Sequence, residues 1–353
     1  MFDQRVNFKR PTLGDYARLG RGVTAKLYDM LYAHGRQGTA LFLPFDQLWE
    51  HGPVHQMTGL DEGIGDPGRV IKFANEGKFS GIVLQIGLAE KYGQDLRPDL
   101  PLILKIDGHI NAGKDADMPT HAEFCSLDRA MKAGASAVGM TYYLGSTDTT
   151  RDVERIGRMV ERAHEYGVPV VLWSYPRGPV VDKTQGDSLY WVHHAVKSAE
   201  DFGVDIVKTK PPVPVKKDKL EAYKVWIADV EKKTKGASMY LEYEPVNSTG
   251  STGVLDPDVE LTEDQHIDRY SLVIGAAPRT FVIFSGGPKI QGDAKKVLEY
   301  QTRVIMEAGG EGAIYGRNLW GVPTEKGLEL MEAVHSILAE PQYRRPLPMS
   351  MRA

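Results

Sequence analysis

Eight short β-rich runs, separated by helical patterns over nearly the whole chain, constrain this sequence more than any other feature. They fall near 41–45, 81–85, 102–106, 137–141, 168–173, 205–208, 281–284 and 313–315. Strands that alternate with helices build a parallel sheet covered by those helices. Eight in order suit a closed barrel better than an open doubly wound sheet. The predicted fold is therefore α/β, a single (β/α)8 TIM barrel, and 353 residues fit within one such unit. Periodicity supports the intervening helices. Val153, Ile156, Val160 and Ala163 form one apolar stripe, with Arg155, Arg158, Glu161 and Arg162 mainly elsewhere. That helix stops at Gly167, and Pro169 enters the next strand. A second stripe, Val297, Val304 and Ala308, stops at Gly309-Gly310.

Two stretches exceed a minimal barrel. Residues 1–38 read as a helical lead-in that packs over the bottom of the barrel. Residues 211–279 open with Pro211-Pro212-Val213-Pro214 and continue through a charged helix around Lys217–Lys235 and a polar loop at 247–252. They read as an insertion between strands six and seven, so 1–353 is predicted to be one barrel domain.

Composition removes several classes of function. A formal charge of -4 provides no basic field for nucleic acid, so anion binding must come from local groups. Cys125 is the only cysteine, which excludes an intrachain disulfide and a cysteine-built zinc site. The first residues carry no apolar core of signal-peptide type, and no run approaches the ~20 apolar residues of a membrane span. The expected location is the cytoplasm, with no membrane and no nucleic-acid partner.

In a barrel of this kind the reacting groups sit at the C-terminal ends of the strands. The first strand runs into Asp46 and on to Trp49-Glu50-His51-Gly52-Pro53; the third carries Lys105 and Asp107. The fourth leads to Tyr142-Tyr143, the fifth to Trp173-Ser174-Tyr175-Pro176-Arg177, and the sixth to Lys208-Thr209-Lys210. Alternation places Val171, Trp173 and Tyr175 on one face of strand five, and Ile206, Lys208 and Lys210 on one face of strand six. If both faces point inward, a phenol and an amine meet at the barrel mouth. A lysine held against apolar walls and other cations loses its proton more readily, and the neutral amine can attack a carbonyl. The resulting imine is an electron sink for breaking an adjacent C–C bond. Tyr175 can exchange the proton of that step, and Asp46 can help dehydrate the carbinolamine. Facing alone leaves Lys208 and Lys210 as equal candidates.

The last two strands carry a second signal. Ser285-Gly286-Gly287 and the stretch from Gly309-Gly310 through Gly316-Arg317 occupy the place where many barrels hold phosphate on backbone N–H groups. Arg317 can add a bidentate contact.

Together these residues resemble the archaeal-type class I fructose-1,6-bisphosphate aldolases, which belong with the deoxyribose-phosphate aldolase-like barrels. The similarity runs from about residue 39 to 335. It is carried by the segment from Asp46 to Pro53, Trp173-Ser174-Tyr175-Pro176-Arg177-Gly178, Asp205-Ile206-Val207-Lys208, Ser285-Gly286-Gly287-Pro288-Lys289 and Gly316-Arg317-Asn318. The resemblance implies that Lys208, not Lys210, forms the Schiff base, that Tyr175 transfers protons and that Asp46 assists at the substrate carbonyl. It also implies that the last two strand loops and Arg317 hold the ketose C1 phosphate. Lys105 is expected to lower the amine's pKa or meet substrate oxygens, with Trp173 a wall of the site and His51 and Arg177 further contacts. The implied reaction is reversible cleavage of fructose 1,6-bisphosphate, a phosphorylated sugar, without metal or other cofactor. A related Schiff-base synthase or thiolase on another phosphorylated ketose or diketone is the alternative. Relatives form homo-oligomers, often decamers, so a homo-oligomer is expected here. The sequence departs from the pattern where Thr209-Lys210-Pro211-Pro212 follows the lysine and where Asp107 replaces a frequent Asn.

Other signals read as ordinary packing or solvation. His51 and His55 stand four apart beside Glu50, but Gly52-Pro53 between them breaks the helix a metal pair needs. His193-His194 lies in an apolar run. Cys125 falls in the Glu123–Ala130 helical pattern as a packing residue, and Lys216-Lys217 and Lys232-Lys233 read as a solvated face.

Overall fold

The computed structural model describes residues 10–32, 35–46, 50, 66–109, 121–181, 185–245, 261–287, 290, 292–345 and 347. All eight predicted strands are present: β1 (Ala40–Pro44), β2 (Gly81–Gln85), β3 (Leu102–Lys105), β4 (Ala137–Leu144), β5 (Val170–Pro176), β6 (Ile206–Thr209), β7 (Phe281–Ser285) and β8 (Gly312–Ile314). Each pairs in parallel with its sequence neighbours. The Leu41–Ala313 register of β1 on β8 closes the barrel. β4 and β5 run three residues past their predicted ends, and those extra residues carry Tyr143 and Tyr175 to the mouth.

Side-chain alternation separates two cores. Leu41, Leu43, Ile82, Leu84, Leu104, Val138, Leu172, Val207 and Val282 point outward, under the helices. Phe42, Val83, Ile103, Ala137, Val171, Ile206, Phe281 and Ile314 point inward. The helices are α1 (Arg21–Tyr32), α2 (Pro67–Glu76), α3 (Ile86–Tyr92), α4 (Leu127–Lys132), α5 (Thr149–Glu165), α6 (Leu189–Asp201), α7 (Leu220–Lys233), α8 (Glu263–Gly275), α9 (Ala294–Glu307), α10 (Arg317–Trp320) and α11 (Thr324–Leu338).

The inner core closes from below. Leu13, Tyr16, Val23, Leu27 and Met30, from a 3-10 turn (Leu13–Leu19) and α1, join the inward-facing strand residues in one cluster. Tyr16 stacks on Phe281 with ring centroids 5.0 Å apart, and its hydroxyl lies 3.0 Å from the Asp205 carbonyl and 2.9 Å from that of Arg279. Arg10 closes a second tie, with Nη2 2.6 Å from Oε2 of the fully buried Glu311.

Several details correct the expectations. Arg155 lies on the buried side of α5, not on its charged face, because it pairs with Asp107 inside the barrel wall and with Asp152 one turn earlier. Residues 122–123 form a two-stranded ribbon with 107–108, and α4 starts only after the Ser126 cap, so Cys125 is buried outside any helix. In α9 the deepest residues are Leu298 and Thr302; Val304 and Ala308 of the predicted stripe are buried, whereas Val297 is half-buried. Within 211–279, α8 packs between α6 and α9 as a regular barrel helix. The extra chain before it includes α7, which packs Tyr223 and Ile227 into a separate small cluster with Val215 and Ala237. The loop at 247–252 lies outside the described residues. No described helix is long and apolar enough to cross a membrane.

Tyr16→Phe removes a buried donor from two carbonyls and is expected to cost about 1–3 kcal/mol. Urea unfolding of the two proteins checks this; coincident curves would show that the hydroxyl holds nothing in place.

Candidate active site

Register brings the key side chains together. Trp173 on β5 is paired directly with Lys208 on β6, and both lie on the inward face. They line a cavity of about 300 Å³ at the barrel mouth. Asp46, Tyr175, Arg177, Ser285, Gly286, Gly287, Gly316 and Arg317 line it too, so most of the predicted site residues share one space. His51 lies outside the described residues.

Lys208 is 4% exposed, and its Nζ sits 5.0 Å from the centre of the Trp173 ring. Burial pushes the amine down to about 8, with Lys105 and Arg317 adding to the shift and Asp46 and Glu50 opposing it. A useful fraction of Lys208 is therefore neutral near physiological pH. Lys210 lines the same cavity, and burial lowers it as well, to about 7. It is nevertheless ion-paired with Asp187, which favours its charged form.

Lys105 stands behind this surface and does not line the cavity. It is fully buried, with Nζ 3.0 Å from Glu50 Oε1, 3.2 Å from Asp107 Oδ1 and 3.0 Å from the Asp107 carbonyl. Burial opposes its charge, but the carboxylates of Glu50, Asp107 and Asp46 outweigh that and hold it as an ammonium, its pKa raised. Its Nζ lies 5.6 Å from the Trp173 ring, so two lysines share one indole. Asp107 is fixed in turn. Its carboxylate accepts from the Thr141 N–H at 3.0 and 3.1 Å and from Arg155 Nη1 at 2.6 Å. Arg155 also donates to the Thr141 carbonyl at 3.1 Å. Of the two roles anticipated for Lys105, its position favours the electrostatic one.

Gly139 makes room for the indole. A Cβ there would lie 2.5 Å from the Trp173 ring, a distance that rigid strands cannot relieve. Gly286 does the same for the phosphate-loop candidate, since a Cβ would meet the Tyr315 ring at 2.8 Å. Asn318 braces this loop, with Nδ2 3.4 Å from the Gly286 carbonyl and Oδ1 accepting from the Ile290 N–H at 3.1 Å.

Tyr175 keeps part of its surface open to the cavity. Desolvation pushes its phenol well above its ordinary pKa, while Arg177 and a hydrogen bond with Ser285 pull the other way. The Arg177 guanidinium lies 5.2 Å from the Tyr143 ring and 5.9 Å from that of Tyr175. Asp46 is 3% exposed, and its Oδ1 has no hydrogen-bond partner among the described residues. A buried carboxylate oxygen without a described partner, in the same cavity as an amine that is readily deprotonated, is equipped to take part in proton transfer.

Tyr143, Thr141, Glu50 and Asp187 also line the cavity without having been singled out as site residues. Tyr143 was legible: it keeps the inward phase of Ala137, Gly139 and Thr141 along β4.

Comparison with known proteins agrees with this geometry. Residues 40–321 match the model of the DeoC/LacD family aldolases. The chain belongs to the DeoC/LacD aldolase family. It is 29% identical over 286 residues to the class 1 fructose-bisphosphate aldolase of Thermoproteus tenax, covering 81% of this chain and 84% of that one. The class 1 fructose-bisphosphate aldolase of Halobacterium salinarum is 28% identical over 285 residues, covering 81% and 85%. Among solved structures, an archaeal fructose-1,6-bisphosphate aldolase with its catalytic lysine bound to the carbinolamine intermediate of the substrate superposes with a TM-score of 0.65. It is 26% identical and covers 90% of this chain and 100% of its own. Within the DeoC/LacD aldolases, then, this chain shares the barrel of enzymes that work through a covalent lysine.

Lys105→Met removes one of the two cations that, with burial, lower Lys208 and leaves the carboxylates that raise it. The pKa of Lys208 is expected to rise from about 8 toward the ordinary lysine value. The pH dependence of Lys208 acylation, read by peptide mapping, measures this; a midpoint that stays or falls would show that Lys105 does not act on it.

Proposed function

We propose that this chain is a class I aldolase that reversibly cleaves fructose 1,6-bisphosphate to dihydroxyacetone phosphate and glyceraldehyde 3-phosphate through an imine on Lys208. The observation that carries the reading is an enclosed amine of lowered pKa, stacked on Trp173, opening into the same cavity as a phenol, a carboxylate and two glycine loops. The similarity to class 1 fructose-bisphosphate aldolases along most of the chain supports the choice of sugar.

Neutral Lys208 attacks the C2 carbonyl, and Asp46 carries a proton from nitrogen to the former carbonyl oxygen. The Tyr175 phenol protonates that hydroxyl, which leaves as water and creates the iminium. The phenolate left behind is offset by the iminium charge and by Arg177. It accepts the C4 hydroxyl proton as C3–C4 breaks, so C4 becomes the aldehyde and the bonding pair enters the iminium to give an enamine. Tyr175 returns the proton to C3. Water then adds to the iminium and gives its proton back to Tyr175, and collapse of the carbinolamine frees Lys208. The C1 phosphate rests on the backbone at Ser285-Gly286-Gly287 and Gly316, with Arg317 beside it. The iminium is the electron sink, so activity is expected to survive exhaustive chelation.

Borohydride added to enzyme and substrate is expected to trap an adduct on Lys208, located by peptide mapping. Tyr175→Phe is expected to lower kcat by about 10²–10⁴-fold. In the intact enzyme kcat/KM rises with pH through about 8 as Lys208 loses its proton. An adduct mapped to Lys210, or an active Lys208→Met variant, would overturn the assignment.

A further inference from the structure

Beneath the barrel, on the face away from Lys208, a cavity of about 480 Å³ opens between α1 and the chain after α11. Tyr28, Tyr32, Arg36, Arg344, Arg345 and Leu347 line it. No acidic side chain lines it among the described residues. Arg345 finds its countercharge behind the cavity wall, with Nη2 3.3 Å from Glu311, and also donates to the Gly309 and Gly310 carbonyls. Arg344 is exposed.

Among the described residues Arg36 has no such partner. It is 2% exposed; Nη1 donates to the Lys78 carbonyl at 3.0 Å, but among those residues Nε and Nη2 have no acceptor. Burial pushes its pKa down to about 10, and the charged neighbour that acts on it, Arg97, pushes the same way. At neutral pH it remains a buried cation without a countercharge among the described residues, an arrangement that is strongly destabilising unless an anion completes it. Next to it the Tyr28 and Tyr32 rings stack, 5.6 Å apart and 8° from parallel, and with Leu347 they form an aromatic and apolar wall.

We propose that this cavity binds a phosphate ester, with Arg36 and Arg344 meeting the anion and the tyrosine wall meeting the organic part. The site is separate from the aldolase cavity and does not depend on the reading of Lys208.

Calorimetry and thermal unfolding with pyrophosphate and with adenosine monophosphate test it. The parent for the test carries Arg317→Met, which weakens phosphate binding at the barrel mouth. Saturable binding at one site per chain, with a rise in Tm, is expected. Adding Arg36→Met is expected to weaken binding about tenfold or more, as loss of a charge-assisted bond should. Without ligand this variant should unfold no earlier than its parent, because it removes an unpaired buried charge; a purely structural arginine would lower the Tm instead. If Arg36→Met fails to fold, Arg344→Ala at an exposed position carries the same test. Absence of saturable binding, or binding unchanged in both variants, overturns the site. Tighter binding of the nucleotide than of pyrophosphate supports the ester; equal affinity overturns that part and leaves an anion site.

Discussion

The reactive end of this barrel is organised around the ammonium of Lys105, buried without access to water. An ion in that position is tolerated only when opposite charge and hydrogen bonds replace its hydration. Glu50, Asp107 and the Asp107 carbonyl supply them. Asp107 must then be held itself, and the Thr141 N–H and Arg155 do so. The chain of contacts thus ties β1, β3, β4 and α5 together behind the site. Its consequence in front is electrostatic. A fixed positive charge within reach of the same Trp173 ring that Lys208 approaches adds to burial in discouraging a second charge there.

Precision of this kind needs a rigid frame, and the strand register supplies it. Trp173 and Lys208 are paired residues on hydrogen-bonded strands, so their spacing follows from backbone geometry rather than from loops. Gly139 on the neighbouring strand leaves the indole its space. From below, Tyr16 and the first helix fill the lower barrel interior with side chains, while the Lys208 cavity opens at the mouth. The lower end contributes stability and the upper end chemistry, the division this fold imposes.

What could be read in the sequence follows this division. The eight strands, the inward phase of Trp173 and Lys208 and the glycine loops all express a local period or a local turn, and all were legible. Alternation could not separate Lys208 from Lys210, because both share one phase; the difference between them that the structure adds is the ion pair of Lys210 with Asp187, which sits on another segment. Arg155 was misread for a similar reason. On α5 it looks like one of several surface arginines, and only its partner Asp107, 48 residues away, draws it inward. Lys105 was seen at a strand end, but its depth behind Trp173 depends on Glu50 and Asp107 together. Charges that are buried in pairs carry no periodic signature, since each looks like an ordinary surface residue until its partner is placed.

The buried cations of this chain therefore form a physical series. Lys105 has a full set of carboxylates and keeps its proton. Lys208 has less compensation, and as an amine it can shed the charge, which is what the nucleophile proposed above needs. Arg36 has the least compensation and cannot take that route, because a guanidinium stays protonated even when burial lowers it to about 10. The same cost of desolvation yields a fixed charge, a reactive amine and a cation in want of an anion. The difference lies in how many carboxylates stand nearby and in whether the side chain can give up its proton. On the readings proposed above, Lys208 is completed by a carbonyl carbon and Arg36 by an oxyanion.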